Sequence, residues 1–327
     1  MPDSALVEQF DQAIDALLSG GVAPSEVDPE LIRIADVLRA MPSESFQTRL
    51  KLELERIASM PTATAPVSTA PYMREGFRTL TPYIRIPEGA EIIEFMKKTF
   101  GAEELMRGAS GPNSFHAEVR IGDSIVMIGG GEAARDQAPR RAAFHVYVPD
   151  CDAAYHRALA AGAKSLGAPA DQHYGERAGY VEDVAGNHWY IATRLGTMEL
   201  SPGRGTVTSF VHPNNVAAYR DFLQRAFGAE SLAHFENEGR VVYSAVRIGD
   251  SVIEMGEAQG QDRPMYFPTG FYFYVEDADA AYRRALAAGA TSLWEPADQR
   301  YGDRTGGVRD PFGNEWYPAT RLGRATG

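Results

Sequence analysis

The chain alternates between segments with a two-residue hydrophobic period and segments with a helical period. From residue 80 onward, the pattern predicts a strand in LTPYIRI, a helix in AEIIEFMKKTFGAE that ends at Gly101, and strands in ELMRGA, SFHAEVRIG and DSIVMIGG. The last two strands are joined by a Gly-Asp turn, which is typical of a hairpin. The same order then begins again with the strand AAFHVYV, the helix CDAAYHRALAAGA and three further strands. This pattern predicts two consecutive βαβββ modules.

The whole two-module pattern recurs 127 residues later. RIGDS begins at Arg120 and again at Arg247, and RALAAGA begins at Arg157 and Arg284. The phrase GNHWYIATRLG likewise returns as GNEWYPATRLG. Two copies of this length are too few and too long for a solenoid. The sequence therefore predicts an α+β chain with two homologous domains, here called copy one and copy two, and four βαβββ modules in all.

The sequence before the repeat has a different composition. Residues 1–60 contain three short amphipathic helical patterns, which we interpret as a small bundle or arm, with a partner-docking role as the alternative. Residues 61–76 include PTATAPVSTAP, which is typical of an extended linker. The predicted domains then span residues 77–198 and 199–327.

Charge and cysteine content limit the classes of function. The formal net charge of -12 argues against a nucleic-acid partner, because phosphate binding needs a basic face. Cys151 is the single cysteine, so neither an internal disulfide nor a cysteine-based metal site is expected. No signal peptide and no membrane span is predicted, which favours a cytoplasmic protein with no membrane partner.

The repeated unit resembles a known superfamily. The segments IEFMKKTFGAEEL, HAEVRIGDSIVMIG, FHVYVPDCDAAYHRALAAGA, YGERAGYVEDVAGNHW and, in copy two, YGDRTGGVRDPFGNEW are similar to the vicinal oxygen chelate superfamily. That superfamily includes glyoxalase I, bleomycin and fosfomycin resistance proteins and extradiol dioxygenases, and the likeness is greatest to its PhnB-like branch. The resemblance implies that two modules form a cup-shaped mixed sheet, with helices outside and a ligand inside. It is specific for the fold and leaves the reaction open.

Metal-using relatives hold a divalent ion in the cup, and the resemblance locates the corresponding positions here. The first-strand ligands fall at Thr81 and Ala143 in copy one, and the last-strand glutamate falls at Tyr190. In copy two the same positions are Thr208, Gly270 and Tyr317. Because these residues do not form a divalent site, the sequence favours no metal and no other cofactor.

Other ligands lie close to these positions in copy one. If both modules of copy one form one cup, strand alternation brings four side chains to its inner face: His116, Glu118, His145 and His188. Imidazoles and a carboxylate suit a zinc, manganese, iron or nickel ion, which is the alternative hypothesis. In copy two this set is replaced by Tyr243, Ala245, Tyr272 and Glu315.

The candidate ligand-binding residues are the polar and aromatic side chains predicted to line the cups. They are His116, Glu118, His145, Tyr147, His188, Tyr190, Tyr243, Glu254, Tyr272, Tyr274 and Tyr317. Aromatic side chains suit a flat or cationic ligand, and they can equally fill the core of a domain that binds nothing. The sequence assigns no catalytic residue.

Three functions remain open at this point. The leading hypothesis is a small-molecule binding protein of the bleomycin-resistance type without a standard metal. The second is a divalent-metal-dependent lyase or dioxygenase that acts in copy one. The third is a ligand-sensing regulator with the N-terminal helices as a docking arm. The linked copies are expected to form an intramolecular pseudo-dimer, and a further homodimer is an open alternative.

Overall fold

A computed structural model describes residues 70–135, 139–195, 203–237, 239–257 and 268–323. The predicted N-terminal helices and most of the linker lie outside these residues. All four predicted βαβββ modules are present within them. No helix in these ranges is long and apolar enough to cross a membrane.

Copy one comprises two modules. The first contains β1 (Leu80–Arg85), α1 (Gly89–Phe100), β2 (Glu103–Gly111), β3 (Ser114–Ile121) and β4 (Ser124–Gly131). The second contains β5 (Ala143–Tyr147), α2 (Cys151–Ala160), β6 (Lys164–Gln172), β7 (Glu176–Glu182) and β8 (His188–Arg194). A single 3₁₀ turn, Glu132–Ala134, follows β4.

Copy two repeats the same order. Its first module contains β9 (Val207–Val211), α3 (Val216–Phe227), β10 (Glu230–Asn237), β11 (Arg240–Ile248) and β12 (Ser251–Met255). Its second module contains β13 (Gly270–Tyr274), α4 (Ala278–Ala287), β14 (Thr291–Asp298), β15 (Asp303–Arg309) and β16 (Glu315–Arg321).

Local sequence sets the ends of the helices. The side chains of Asp150, Asn215 and Asp277 accept hydrogen bonds from the first-turn amides of α2, α3 and α4. Helix α1 ends at Gly101, which adopts the left-handed conformation at φ 68°, as predicted from the sequence. The starts of α2, α3 and α4 and the end of α1 therefore follow from residues next to these helices.

The strands pair across the two copies, and this corrects one expectation. Sheet A has the order β14-β15-β16-β13-β1-β4-β3-β2, and sheet B has the order β10-β11-β12-β9-β5-β8-β7-β6. Each sheet therefore joins one module of copy one to one module of copy two. The expectation that the two modules of one copy share a sheet is wrong, and the predicted intramolecular pseudo-dimer is confirmed at the level of strand pairing.

The repeated RIGDS motif shows how the copies are joined. Asp123 at the β3–β4 turn accepts a hydrogen bond from the Thr206 amide at 2.7 Å, just before β9 of the other copy. The reciprocal bond runs from the Thr79 amide to Asp250, also at 2.7 Å. Each copy thus holds the first strand of the other with the same motif, which is the reciprocity of a two-fold interface.

The hydrophobic cores, in contrast, lie mainly within the copies, although Leu80 packs in the core of copy two and Val207 in that of copy one. In copy one the helix-facing sides of β3, β4, β5 and β8 pack with α1 and α2, and Trp189 contacts Phe95 and Phe100 as expected from its position. Copy two builds the equivalent core around Trp316. The opposite side of each sheet is called its inner face below. The two modules of one copy share a core, so their inner faces belong to different sheets.

The repeated GNxW phrase is an anchor of this core. Asp183 accepts hydrogen bonds from the Trp189 indole at 2.8 Å and from the Asn187 amide at 3.0 Å. Asp310 accepts the same bonds from Trp316 and Asn314, each at 2.9 Å. The phrase recurs because both cores use the same buried carboxylate to position the same tryptophan.

Candidate functional site

The inner face of sheet A carries a half-open cavity of about 360 Å³. Its walls come from both copies, because β1, β3 and β4 meet β13 to β16 there. The lining is dominated by rings and small residues, and its described members are Tyr83, Arg85, Ser110, Phe115, Gly129, Gly130, Ala133, Ala134, Tyr272, Trp294, Tyr301, Thr305 and Tyr317. Trp294 stacks on Tyr317 with ring centres 5.3 Å apart.

One wall of the cavity is polar. Arg85 donates from Nη2 to Glu315 at 2.9 Å and from Nη1 to the hydroxyl of Tyr317 at 3.1 Å. Tyr317 in turn donates to Glu315 at 2.6 Å, and Arg140 donates to the other Glu315 oxygen at 2.6 Å. Burial opposes ionisation of Glu315, but the bonds from Arg140 and Tyr317 and the nearby Arg85 lower its pKa to about 2. The guanidinium of Arg85 is therefore held in one position.

Gly129 on β4 contributes to the space in the cavity. A Cβ atom at this position would lie 3.2 Å from the Tyr83 hydroxyl and 3.5 Å from Cγ of Arg85. These contacts leave room for a methyl group only if the neighbours shift. Glycine at this position therefore keeps Tyr83 and Arg85 close to the strand.

Beyond the cavity, the inner face of sheet A is filled by an aromatic cluster. Its buried members are Met73, Phe77, Met127, Tyr272, Tyr274, Tyr317 and Ala319. The hydroxyls of Tyr272 and Tyr274 both donate to Asp303, at 2.8 and 3.0 Å, and Arg321 pairs with the same carboxylate. Aromatic rings, the Asp303–Arg321 pair and the neighbouring Arg74–Glu118 pair therefore close this end of the face.

The equivalent part of sheet B holds an ion-pair cluster instead, made of Tyr147, His145, Glu176, Arg204, Tyr243 and Glu254. Nδ1 of His145 lies 3.0 Å from Glu254, and Nε2 lies 3.2 Å from Glu176. Arg204 pairs with Glu254 at 2.8 Å. The two carboxylates are thus balanced by one guanidinium and one imidazolium.

The charges of this cluster shift one another's pKa. Burial disfavours the imidazolium of His145, but Tyr147, Glu254 and Glu176 outweigh burial and hold the pKa of His145 well above its ordinary value. Burial likewise disfavours ionised Glu254, but Arg204 and His145 outweigh it and lower the pKa of Glu254 to about 2. His145 is therefore a charged member of the cluster at neutral pH.

The other end of the inner face of sheet B carries polar rings. Tyr190 and His212 share a hydrogen bond at 2.8 Å, and the His212 ring lies 4.8 Å from that of Phe210. His188 is buried with Nε2 3.3 Å from Glu182. Burial lowers the pKa of His188, because the bond to Glu182 does not fully offset the loss of hydration.

The structure does not bring together the four residues of the alternative metal site. His116 and Glu118 lie on β3 in sheet A, whereas His145 and His188 lie on β5 and β8 in sheet B. The expectation that these four residues share a cup is wrong. Strand alternation gives the face of each strand on which a side chain lies, but the two modules of copy one lie in different sheets because modules pair across the copies. Glu118 is also engaged by a two-pronged ion pair with Arg74, whose Nη2 lies 2.9 Å from Oε2.

The residues on the inner faces do not fit a divalent ion. In the ion-pair cluster, the two carboxylates contact opposite nitrogens of the His145 ring, so they lie on opposite sides of it. The last-strand positions that the resemblance assigns to glutamate are occupied by Tyr190 and Tyr317. Across the described ranges, no three or more His, Cys, Asp or Glu side chains are arranged to hold one metal ion.

The structure places the eleven candidate residues on both sheets. Of the eleven candidate residues, Tyr272 and Tyr317 line it. On the same inner face, Tyr274 and Glu118 are buried and His116 lies edge-on to Tyr83. The remaining six candidates, His145, Tyr147, His188, Tyr190, Tyr243 and Glu254, lie on sheet B.

Two important cavity residues were missed although a signal was present. Tyr83 and Arg85 follow Thr81 at two-residue spacing, so alternation alone predicts that all three share a face. Arg204 had no such signal, because it precedes β9 and reaches the cluster from a connecting segment.

Comparison with known proteins identifies the family of this chain. The model of the Glyoxalase/Bleomycin resistance protein/Dioxygenase superfamily matches residues 79–191 and 210–317. The chain belongs to this superfamily. Each match covers one copy, in agreement with the repeat.

Individual proteins are similar to this chain in sequence or in fold. An uncharacterized protein of Mycobacterium bovis is 36% identical over 113 residues, which are 32% of this chain and 74% of that protein. An uncharacterized protein of Mycobacterium tuberculosis is 36% identical over 113 residues, which are 66% of its length. The crystal structure of glyoxalase I from Zea mays has a TM-score of 0.57 at 13% identity, covering 74% of this chain and 92% of that one. At this identity the likeness concerns the fold alone.

Proposed function

We propose that this superfamily member is a binding protein for a small, flat ligand, which it holds in the cavity of sheet A without a metal ion. The observation that supports this function is the lining of the cavity. Rings from both copies surround about 360 Å³ of space. A cavity of this size and composition suits a small organic molecule. The geometry offers no comparable support for the metal-dependent enzyme, because the donor side chains are bound to one another or to arginines.

The protein carries its own reporter for this test. Of the three tryptophans, Trp189 and Trp316 are fully buried in the helix-side cores, whereas Trp294 lines the cavity and is 43% exposed. A ligand that stacks in the cavity should change the fluorescence of Trp294 in a saturable manner. The same ligand should raise the melting temperature, because it binds only the folded protein.

The experiment is a screen of flat aromatic compounds against the unmodified protein and Trp294→Phe. Saturable fluorescence changes that disappear in Trp294→Phe, together with a raised melting temperature, would support the proposal. A library without any such compound would contradict it. Metal analysis tests the alternative: a stoichiometric ion that is lost in His145→Ala would favour an enzyme.

Assignment to the PhnB-like branch, a further homodimer and a cytoplasmic location remain predictions from the sequence. The partner-docking role of residues 1–60 likewise remains a prediction. A pull-down with and without these residues would test it.

A further inference from the structure

The chemistry of the ligand follows from the single charged side chain among the described lining residues, which is Arg85. We infer that the ligand is a planar aromatic or conjugated compound with one carboxylate-like group, and that Arg85 binds this group. This inference rests on the proposed function of the cavity. It goes beyond that function because it assigns the sign of the ligand's charge and its orientation.

The first argument is the local excess of positive charge. Three guanidinium groups share the carboxylate of Glu315, with Arg85 at 2.9 Å, Arg140 at 2.6 Å and Arg309 at 3.1 Å. Glu315 is 2% exposed, and no second carboxylate pairs with these arginines in the part of the chain that the structure describes. Arg309 is 46% exposed and therefore hydrated, so the buried excess at this wall is one positive charge, from Arg85 and Arg140 against Glu315.

The second argument is the state of Arg85 itself. A guanidinium has five N–H groups, and the bonds to Glu315 and Tyr317 use one on each terminal nitrogen. The two acceptors are themselves 2.6 Å apart, so both bonds leave the edge on which the two terminal nitrogens face each other. The second N–H of Nη2 and the Nε–H, for which the described residues provide no partner, then lie side by side on the next edge of the guanidinium. A fixed fork of donors suits a carboxylate, which accepts two hydrogen bonds in one plane.

The third argument is the arrangement of rings around this donor group. Trp294 and Tyr317 are stacked within 20° of parallel, and Tyr83 meets Tyr317 edge-on at 5.6 Å. Flat walls of this kind favour a planar partner. The phenol of Tyr83 stays neutral, because burial raises its pKa. A neutral hydroxyl next to Arg85 can donate to the same acceptor group.

A cationic ligand is the competing class, because aromatic faces attract cations and the chain has a net charge of -12. The overall charge acts mainly through solvent, where salt screens it beyond about 10 Å. Arg85 lines the cavity itself, where an interaction between charges is much less screened. The nearby cation therefore determines the preferred charge of the ligand.

The experiment compares three probes with the same two fused rings: 2-naphthoate, 2-naphthamide and 2-naphthylmethylammonium. Calorimetric titration of the full chain is expected to show naphthoate binding about tenfold more tightly than the amide, with the ammonium weakest. Raising the salt concentration should weaken only the naphthoate. Arg85→Gln should remove the difference between naphthoate and naphthamide. His212→Gln changes the equivalent position of sheet B and should leave that difference unchanged.

The outcomes separate this inference from the proposed function. If naphthamide or the ammonium binds as tightly as naphthoate to the unmodified protein, the inference is overturned and the cavity still binds flat ligands. If Arg85→Gln keeps the preference for naphthoate, the assigned role of Arg85 is overturned. If none of the three probes binds, the inference fails, and the proposed function fails only if the Trp294 screen also finds no ligand. The order of the probes needs no variant, so a folding defect of Arg85→Gln does not prevent the test.

Discussion

The inner faces of the two sheets occupy equivalent positions in the repeat, yet sheet A holds the aromatic cluster at the place where sheet B holds the ion-pair cluster. In both cases the last residues before the first strand of a copy insert a side chain next to the second module of the other copy. Three pairs of equivalent residues, with the residue of sheet A given first, are Phe77 and Arg204, Met127 and Glu254, and Tyr272 and His145.

This contrast shows which positions the fold constrains. The helix-side cores keep the same tryptophan and the same buried aspartate in both copies, because every module packs its helix in the same way. The inner faces have no such common partner, so either an aromatic cluster or an ion-pair cluster can fill them. The cavity lies on the face with rings, which is consistent with a ligand that replaces part of the aromatic packing.

The largest expected effect comes from breaking the ion-pair cluster. Glu254→Met leaves Arg204 buried without its partner, which should lower the free energy of unfolding by about 3–5 kcal/mol. The double variant Arg204→Phe/Glu254→Met installs the residues of sheet A and should lose much less. Urea unfolding of the three proteins measures both quantities. A double variant as unstable as the single one would show that the two clusters are not interchangeable.

How much of this arrangement the sequence predicts depends on the range of the interaction. The strands, the helices and the end of α1 at Gly101 follow from local periodicity and capping. The equivalence of the copies follows from the repeat. The pairing of modules across copies does not, because a βαβββ module offers the same edge to either partner. The expectation that His116 and His145 share a cup was wrong because this pairing could not be predicted.

The aspartates that anchor the tryptophans test whether the two helix-side cores are equivalent. Asp183→Asn and Asp310→Asn each replace one acceptor by a donor that faces other donors. Each substitution should lower the free energy of unfolding by about 1–3 kcal/mol. Because the two motifs make the same bonds, the two losses should agree within about 0.5 kcal/mol. Thermal and urea unfolding of both variants check this. Clearly unequal losses would show that the cores differ despite their shared motif.

The pH dependence of stability should separate the two clusters further. The pKa of His145 is raised in the folded protein, so protonated His145 stabilises the fold fully below its ordinary pKa of about 6.5. This contribution is lost as the pH rises through the raised value, with a slope of at most about 1.4 kcal/mol per pH unit. The charges that face His145 are Glu176 and Glu254, with Arg204 beyond them.

The measurement is the free energy of unfolding between pH 7 and 9. The slope should be smaller in His145→Tyr, which carries the residue of sheet A. It should be unchanged in His173→Gln, because burial lowers the pKa of His173. His173 and His188 have lowered pKa values, so they act at lower pH and with the opposite sign. An identical slope in His145→Tyr would contradict the charged state of His145.

The smallest expected effect concerns the cavity and its matched position in the other sheet. Gly129→Ala adds a methyl group 3.2 Å from the Tyr83 hydroxyl, so Tyr83, which lines the cavity, must shift. We expect a ligand of the cavity to bind about tenfold more weakly, with a change in unfolding free energy below about 1.5 kcal/mol. The control is Gly256→Ala, where the added methyl lies 3.0 Å from the Val242 carbonyl oxygen on sheet B and away from the cavity.

Calorimetric titration of both variants with one ligand from the Trp294 screen distinguishes the sites. Equal losses in the two variants would mean that the ligand does not depend on the space beside Gly129, and that the contrast between the two inner faces does not determine where the protein binds.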